Sequence, residues 1–179
     1  SIISRVKSLC KLAQGEYVPI EKVEDVYGQS PLVSQIWCYG NAYKPFLVAI
    51  VVPNAQPLYE FLLSKGWWDK AVHAPVVGAL SEATIAEFKR AVDAHHEEVK
   101  AWVGASLKQH ESGLQGFEKI KAFKVEYDFD SLGQGFNEAR NTLTPTMKKR
   151  RKPLVEYYLD TLKALYVSLG ERETEGEKW

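Results

Sequence analysis

The chain has 179 residues, 45% of them apolar and 12% aromatic, enough for one domain with a sizeable core. Its 23 basic residues balance its 23 acidic ones, which argues against a dedicated nucleic-acid or membrane-surface protein but leaves room for local patches. Cys10 and Cys38 form neither a metal-ligand spacing nor a disulfide framework, which predicts a reducing, intracellular setting. No apolar stretch reaches the ~20 residues that a membrane-spanning helix needs.

The start, SIISRVKSLCK, lacks the apolar region of a signal peptide and begins in strand-like sequence without a lead-in, as a cut chain would. Ile2 with Ile3, and residues 9–12, predict two short strands around a polar turn at residues 5–8. Pro19 predicts the first turn of a helix with Ile20, Val23, Val26 and Tyr27 on one face, stopped by Gly28 and Pro31. Residues 33–39 and 46–52 predict neighbouring strands joined at Gly40 and Asn41. The second run, FLVAIVV, is apolar throughout, so both of its faces should be covered. A helix is expected over 54–66.

From residue 67 to 115 the pattern turns helical but irregular, with its clearest helix at 81–95 on Ile85, Phe88, Ala91 and Val92. Residues 121–127 alternate as a strand, with Phe123, Val125 and Tyr127 on one face. Residues 131–141 read as loop. Pro153 predicts the start of a closing helix with Leu154, Tyr158, Leu162, Leu165 and Leu169 as its stripe, followed by the polar tail GERETEGEKW. The fold class is α+β: a small β-sheet flanked by helices.

The chemistry concentrates in LTPTMKKRRKP, residues 143–153. Five consecutive basic residues, 148–152, stand before the predicted closing helix. A helix N-terminus is already positive, so cations there cost stability, tenths of a kcal/mol up to about 1 each. Their placement makes sense if an anion binds there. A solvated basic turn or a nucleic-acid patch are the other readings of such a run. Thr144, Pro145 and Thr146 make a tight, hydroxyl-rich approach that could hold Lys148 on an extended, projecting loop. Elsewhere, His95, His96, Glu97 and Glu98 tempt a metal reading, but adjacent helical residues point about 100° apart, so a solvated helix face is expected. Trp37, Trp67, Trp68 and Trp102 are expected in the core or an interface. Glu24, Asp25, Asp128 and Asp130 are expected at helix ends or turns.

With Asn141 and Leu143 ahead of it, the lysine segment resembles the last signature motif of the adenylate-forming enzymes, in the form NxLTPTxKxKRP of long-chain acyl-CoA synthetases. The amino-terminal IISRVKSLCKLAQGEYVPIEKVE is similar to the segment IIDRKKDxxKLAQGEYVxxxKVE that joins the two domains of those enzymes. SPLVSQIWCYG and FLVAIVVPN also look like the family's paired strands. The likeness covers roughly residues 2–66 and 117–168, and the weakly matched stretch between them fits the longer helical insertions of eukaryotic long-chain members. Ser4 and Ser8 depart from the pattern, each replacing an aspartate beside the hinge.

The resemblance implies a single carboxy-terminal lid domain over residues 1–179, with hinge and hairpin in 1–18, a helical insertion in 67–115, and a large amino-terminal domain as its partner. It implies that Lys148 is the adenylation lysine, that Arg5 and Lys148 touch nucleotide, and that Lys7 is the hinge. It places Lys11, Gly15 and Glu16 on the CoA side. The implied reaction is ligation of a long-chain fatty acid to CoA through an acyl-adenylate. ATP and CoA are then substrates, and Mg2+ is held mainly by the large domain. No nucleic acid is expected, and an intracellular place is, in the cytoplasm or on the cytoplasmic face of an organelle membrane. A non-catalytic interaction module built on the same fold, or a nucleic-acid module using the basic run, are the rival readings.

Overall fold

The computed structural model describes residues 9–72 and 78–179. Strands β1 (Leu9–Lys11) and β2 (Tyr17–Pro19) pair antiparallel, with Cys10 opposite Val18. The strand expected at residues 9–12 is present as Leu9–Lys11, and its partner Tyr17–Pro19 is a strand that the sequence reading did not include. The Ile2–Ile3 strand and the turn at 5–8 lie outside the described residues. The hairpin closes here because Gly15 takes φ +99, a conformation that side chains disfavour. Leu12 N–H donates to the Glu16 carbonyl at 2.8 Å and Gly15 N–H to the Leu12 carbonyl at 2.9 Å.

Helix α1 (Ile20–Tyr27) follows without a loop, capped by Pro19, and buries Ile20, Val23, Glu24 and Tyr27. The main sheet runs β3 (Val33–Tyr39), β4 (Leu47–Pro53), β5 (Ile120–Val125) in that order. β3 and β4 are antiparallel, whereas β4 and β5 are parallel. The central β4 is buried at every residue, as its unbroken apolar run predicted, and full burial of each large side chain contributes about 1.5–3 kcal/mol.

A parallel pair needs a long crossover between its strands. Here α2 (Ala55–Ser64), α3 (Glu82–Ala94) and α4 (His96–Lys108) lie between them in the chain. The irregular stretch 67–115 therefore belongs to the β4–β5 connection. α3 starts where expected because the Ser81 hydroxyl accepts the Thr84 N–H at 3.1 Å. His95 and His96 do not share one helix: the first ends α3 and stacks on Trp67, ring centres 3.8 Å apart, and the second begins α4. Trp37 and Trp68 are buried, and Trp67 and Trp102 pack partly buried against the core.

Cys38, Ala49 and Phe123 are register partners on one face of the sheet. α4 covers that face, with Lys100 over the Phe123 ring, and the buried Ser30–Ser106 hydroxyl pair at 2.6 Å joins it to the segment after α1. Trp37 and Tyr39 point the other way, onto Tyr158 and Tyr166 of α5 (Arg151–Ser168). α5 begins two residues before Pro153, so Arg151 and Lys152 form its first turn rather than preceding it. It buries Leu154, Tyr158, Leu162 and Leu165 of the predicted stripe, while Leu169 caps it half-buried. The tail after α5 is not a free polar end: it folds back, stacks Trp179 on Tyr39 at 5.9 Å and pairs Glu177 with Lys44.

Candidate active site

The segment 142–150 is a small hairpin. Met147 N–H donates to the Thr144 carbonyl at 2.9 Å, closing a turn with Pro145 at its second position, where a fixed φ suits it. Met147 follows with φ 67, the left-handed residue that completes a three-residue hairpin loop. A side chain in that region costs roughly 1–2 kcal/mol, so the loop's other bonds must hold it. Thr144 N–H donates to the Lys148 carbonyl at 2.8 Å, and Lys148 N–H donates to Thr144 Oγ1 at 3.1 Å. Leu143 bridges Lys149, and Arg150 N–H reaches the Thr142 carbonyl at 3.0 Å. Thr142, fully buried, ties the base to Asn137. Lys148 is thus pinned on both sides of its backbone while its side chain stays exposed, and among the described residues no carboxylate pairs with it.

Its basic neighbours are not a uniform patch. Glu24, 3% exposed on α1, accepts two bonds from Arg151, at 2.8 and 3.1 Å, with Lys149 Nζ 3.6 Å away. The same carboxylate accepts the Cys38 N–H at 2.8 Å on the free edge of β3. Arg150 bonds the Asn141 side chain. Only Lys148 and Lys152 are left of the five without such partners among the described residues. Burial opposes the charge of Arg151, but the hydrogen bonds and charge of Glu24 outweigh it and hold the guanidinium above its ordinary pKa. Burial, and then the charge of Glu24, push the Cys38 thiol well up, so it is an inert core group.

The second candidate region is the β1–β2 turn. Gly15 sits at its tip with open space where a side chain would go. Within the domain its φ demands glycine, and the space matters only to something that docks from outside. Ala13 N–H donates to the Lys44 carbonyl at 3.0 Å and the Gln14 side chain to the Pro45 carbonyl at 3.0 Å. Glu16 accepts from Gln14, and Lys11 Nζ lies 5.9 Å from the Tyr17 ring centre. Lys11, Gly15 and Glu16 thus fall on one turn, anchored to the β3–β4 connection, while Lys148 has a separate anchor through Glu24. Arg5 and Lys7 lie outside the described residues.

The sequence placed Glu24 at a helix end or turn, whereas it lies buried inside α1, and Lys44 was not singled out. Glu24 occupies the i+4 position of the stripe Ile20, Val23, Glu24, Tyr27, and a carboxylate on an apolar stripe signals a buried partner. Lys44 gave no such signal, since its turn is irregular and its partner is distant.

No protein-family model matches the chain. Curated relatives do. Long chain acyl-CoA synthetase 1 of Arabidopsis thaliana is 32% identical over 172 residues, 96% of this chain and 23% of its own length. Fatty acyl-CoA synthetase A of Dictyostelium discoideum is 36% identical over 169 residues, 93% and 22%. Among solved structures, the adenylation domain of a carboxylate reductase from Mycobacterium chelonae superposes with a TM-score of 0.64 at 30% identity, covering 91% of this chain and 20% of that one. The A-PCP didomain of a carboxylic acid reductase from Segniliparus rugosus, in complex with AMP, gives 0.61 at 29%, covering 94% and 18%.

The chain therefore belongs to the adenylate-forming enzymes, as a carboxy-terminal domain. Within that class the relatives named above are long-chain or fatty acyl-CoA synthetases, ligases of fatty acid metabolism. It spans about a fifth of the length of the curated relatives it matches, 23% and 22% of those two.

Proposed function

We propose that this domain is the mobile catalytic lid of a long-chain fatty acid–CoA ligase, serving acyl-adenylate formation and then thioester formation with CoA. The observation that carries this reading is Lys148: an exposed ammonium on a doubly pinned hairpin, with two of its cationic neighbours drawn to Glu24. A nucleic-acid patch would use the run as a whole, and the pairing of Lys149 and Arg151 with Glu24 counts against that use.

In the first half-reaction a fatty acid carboxylate attacks the α-phosphorus of ATP and pyrophosphate leaves. Two anions must meet, and charge gathers on the phosphoryl oxygens. A preorganised ammonium stabilises that charge more in the transition state than in the ground state. Lys148 supplies it as a point charge on a flexible stem. In the second half-reaction the CoA thiolate attacks the acyl carbonyl, the acyl–phosphate bond breaks, and AMP leaves. The domain then presents the Gly15 turn to the pantetheine arm, with Lys11 and Glu16 beside it. Lys7 serves as hinge and Arg5 as nucleotide contact.

Mg2+ belongs to the large domain in this reading. Among the described residues no group of three or more His, Cys, Asp or Glu side chains is arranged to hold an ion.

The test is fatty-acid-dependent acyl-CoA and AMP production by this chain alone and joined to its large domain. The joined enzyme should turn over palmitate with ATP and CoA, and the chain alone should not. Robust turnover by the isolated chain, or none by the joined enzyme when folded, would overturn the assignment.

A further inference from the structure

The β3–β4 turn, residues 40–46, holds two things at once. Through backbone carbonyls of Lys44 and Pro45 it holds Ala13 and Gln14, the residues leading into the Gly15 turn. Through the Lys44 side chain it holds the end of the chain. Lys44 is 1% exposed, donates to Glu177 at 3.0 Å and to the Arg172 carbonyl at 2.7 Å, and lies 5.4 Å from the ring centres of Tyr166 and Trp179. Asn41, in the same turn, donates to the other Glu177 oxygen at 2.9 Å.

A buried ammonium is costly unless a counter-charge and hydrogen bonds meet it. The residues of its own turn include no carboxylate. The counter-charge arrives 133 residues later, from Glu177, whose side chain is buried in the pair although its backbone is partly exposed. Burial raises the Glu177 pKa, but the Thr174 N–H, Asn41 and Lys44 outweigh it and hold the carboxyl below its ordinary value. One residue thus faces two segments, its backbone toward the Gly15 turn and its side chain toward the tail.

We propose that residues 171–179 form a clasp that positions the Gly15 turn: Glu177, through Lys44, fixes the β3–β4 turn, and that turn fixes Ala13 and Gln14. Lys44 and Glu177 are then positioning residues for thioester formation, a role that rests on the reading of the Gly15 turn as the CoA-facing part. The turn has another support, the Tyr166 hydroxyl donating to the Phe46 carbonyl at 2.9 Å, so the coupling is a testable claim.

The experiment is amide hydrogen exchange on this chain with Glu177→Gln and with deletion of residues 173–179, with Trp179 emission reporting whether the tail is seated in the first. In a folded variant with the tail released, the Leu12 and Ala13 amides should exchange faster by about tenfold, while the Ile50 amide in β4 stays as protected as before. Unchanged Leu12 and Ala13 amides with the tail released would overturn the clasp, leaving Tyr166 as the support. Equal acceleration at Ile50 would also overturn it, reducing the pair to general stability. Whichever variant is folded with its tail released decides. In the two-domain enzyme, Glu177→Gln should raise KM for CoA and leave ATP–pyrophosphate exchange unaltered. Faster exchange at Ala13 with unaltered CoA kinetics would overturn the CoA reading and leave the clasp standing.

Discussion

Glu24 and Arg151 are 127 residues apart in the chain and meet in a two-point ion pair, Nη2 to Oε1 at 2.8 Å and Nη1 to Oε2 at 3.1 Å. The pair joins the helix after the β1–β2 hairpin to the first turn of α5, just past the lysine loop. Arg151→Ala should leave a buried carboxylate short of two bonds. Loss of one partner of a fully buried pair costs about 3–5 kcal/mol, and Arg151 is a third exposed with Lys149 close by. A loss of roughly 2–3 kcal/mol is expected, read by urea unfolding of the chain. Arg151→Lys should recover only part of it, because an ammonium cannot make both bonds in the fork geometry. A wild-type midpoint for Arg151→Ala would show the pair to be dispensable.

Lys148→Ala in the two-domain enzyme should slow adenylation by about 10²–10³, the usual effect of losing one preorganised stabilising group. The control is Lys152→Ala, exposed in the first turn of α5, which should act mainly through a long-range field that salt screens. Thioester formation from synthetic acyl-adenylate and CoA should survive Lys148→Ala. Comparing that rate with the rate from ATP and fatty acid separates the two steps. Equal losses in both would mean general damage, and a normal first step would remove Lys148 from the mechanism.

Gly15→Leu should leave pyrophosphate exchange nearly unchanged and block acyl-CoA output. Its φ of +99 means that any side chain strains the turn, so Gly15→Asn, a residue more tolerant of positive φ, separates strain from bulk. The asparagine variant should retain more thioester formation than the leucine one. If pyrophosphate exchange falls alongside acyl-CoA output in both, the close-approach role of Gly15 is wrong.

Acid should release the tail before it unfolds the domain. Glu177 has a depressed pKa when folded, so its contribution is complete above its ordinary value of 4.5 and is lost as pH falls through the lower folded value. Trp179 emission should therefore change below about pH 4.5, while far-ultraviolet dichroism holds until lower pH. Lys44→Met should abolish this separate transition. A tail signal that titrates near neutrality would point to another group.

Much of this was legible in residue order. β4 reads directly from FLVAIVV, because a strand covered on both faces needs no alternation. The closing helix reads from its stripe of leucines. The lysine loop reads from TPT, since proline and hydroxyls have local geometric demands. What failed were the features set by distant partners. The basic run looked uniform until Glu24 picked out Lys149 and Arg151. The tail GERETEGEKW read only as polar because a segment with one tryptophan gives no periodicity. Its place depends on a lysine buried far upstream. The strand Tyr17–Pro19 went unread because three residues are too few to show alternation against an adjoining helix.

The parallel register of β4 and β5 has a consequence for how the molecule acquires its shape. β3 and β4 are near neighbours in the chain and can zip together as a hairpin, but Leu47 must find Ile120 across all of α2, α3 and α4. Closing so long a loop is unfavourable until the contacts it permits are made, and non-local pairings of this kind slow folding. During synthesis, β4 leaves the ribosome well before its second neighbour exists, with six apolar residues before its closing proline and one bare edge. The helices that intervene are the first material available to shield it. A destabilised α3 or α4 would then show itself less in the finished domain than in the yield of soluble protein, as newly made chains pair edge to edge.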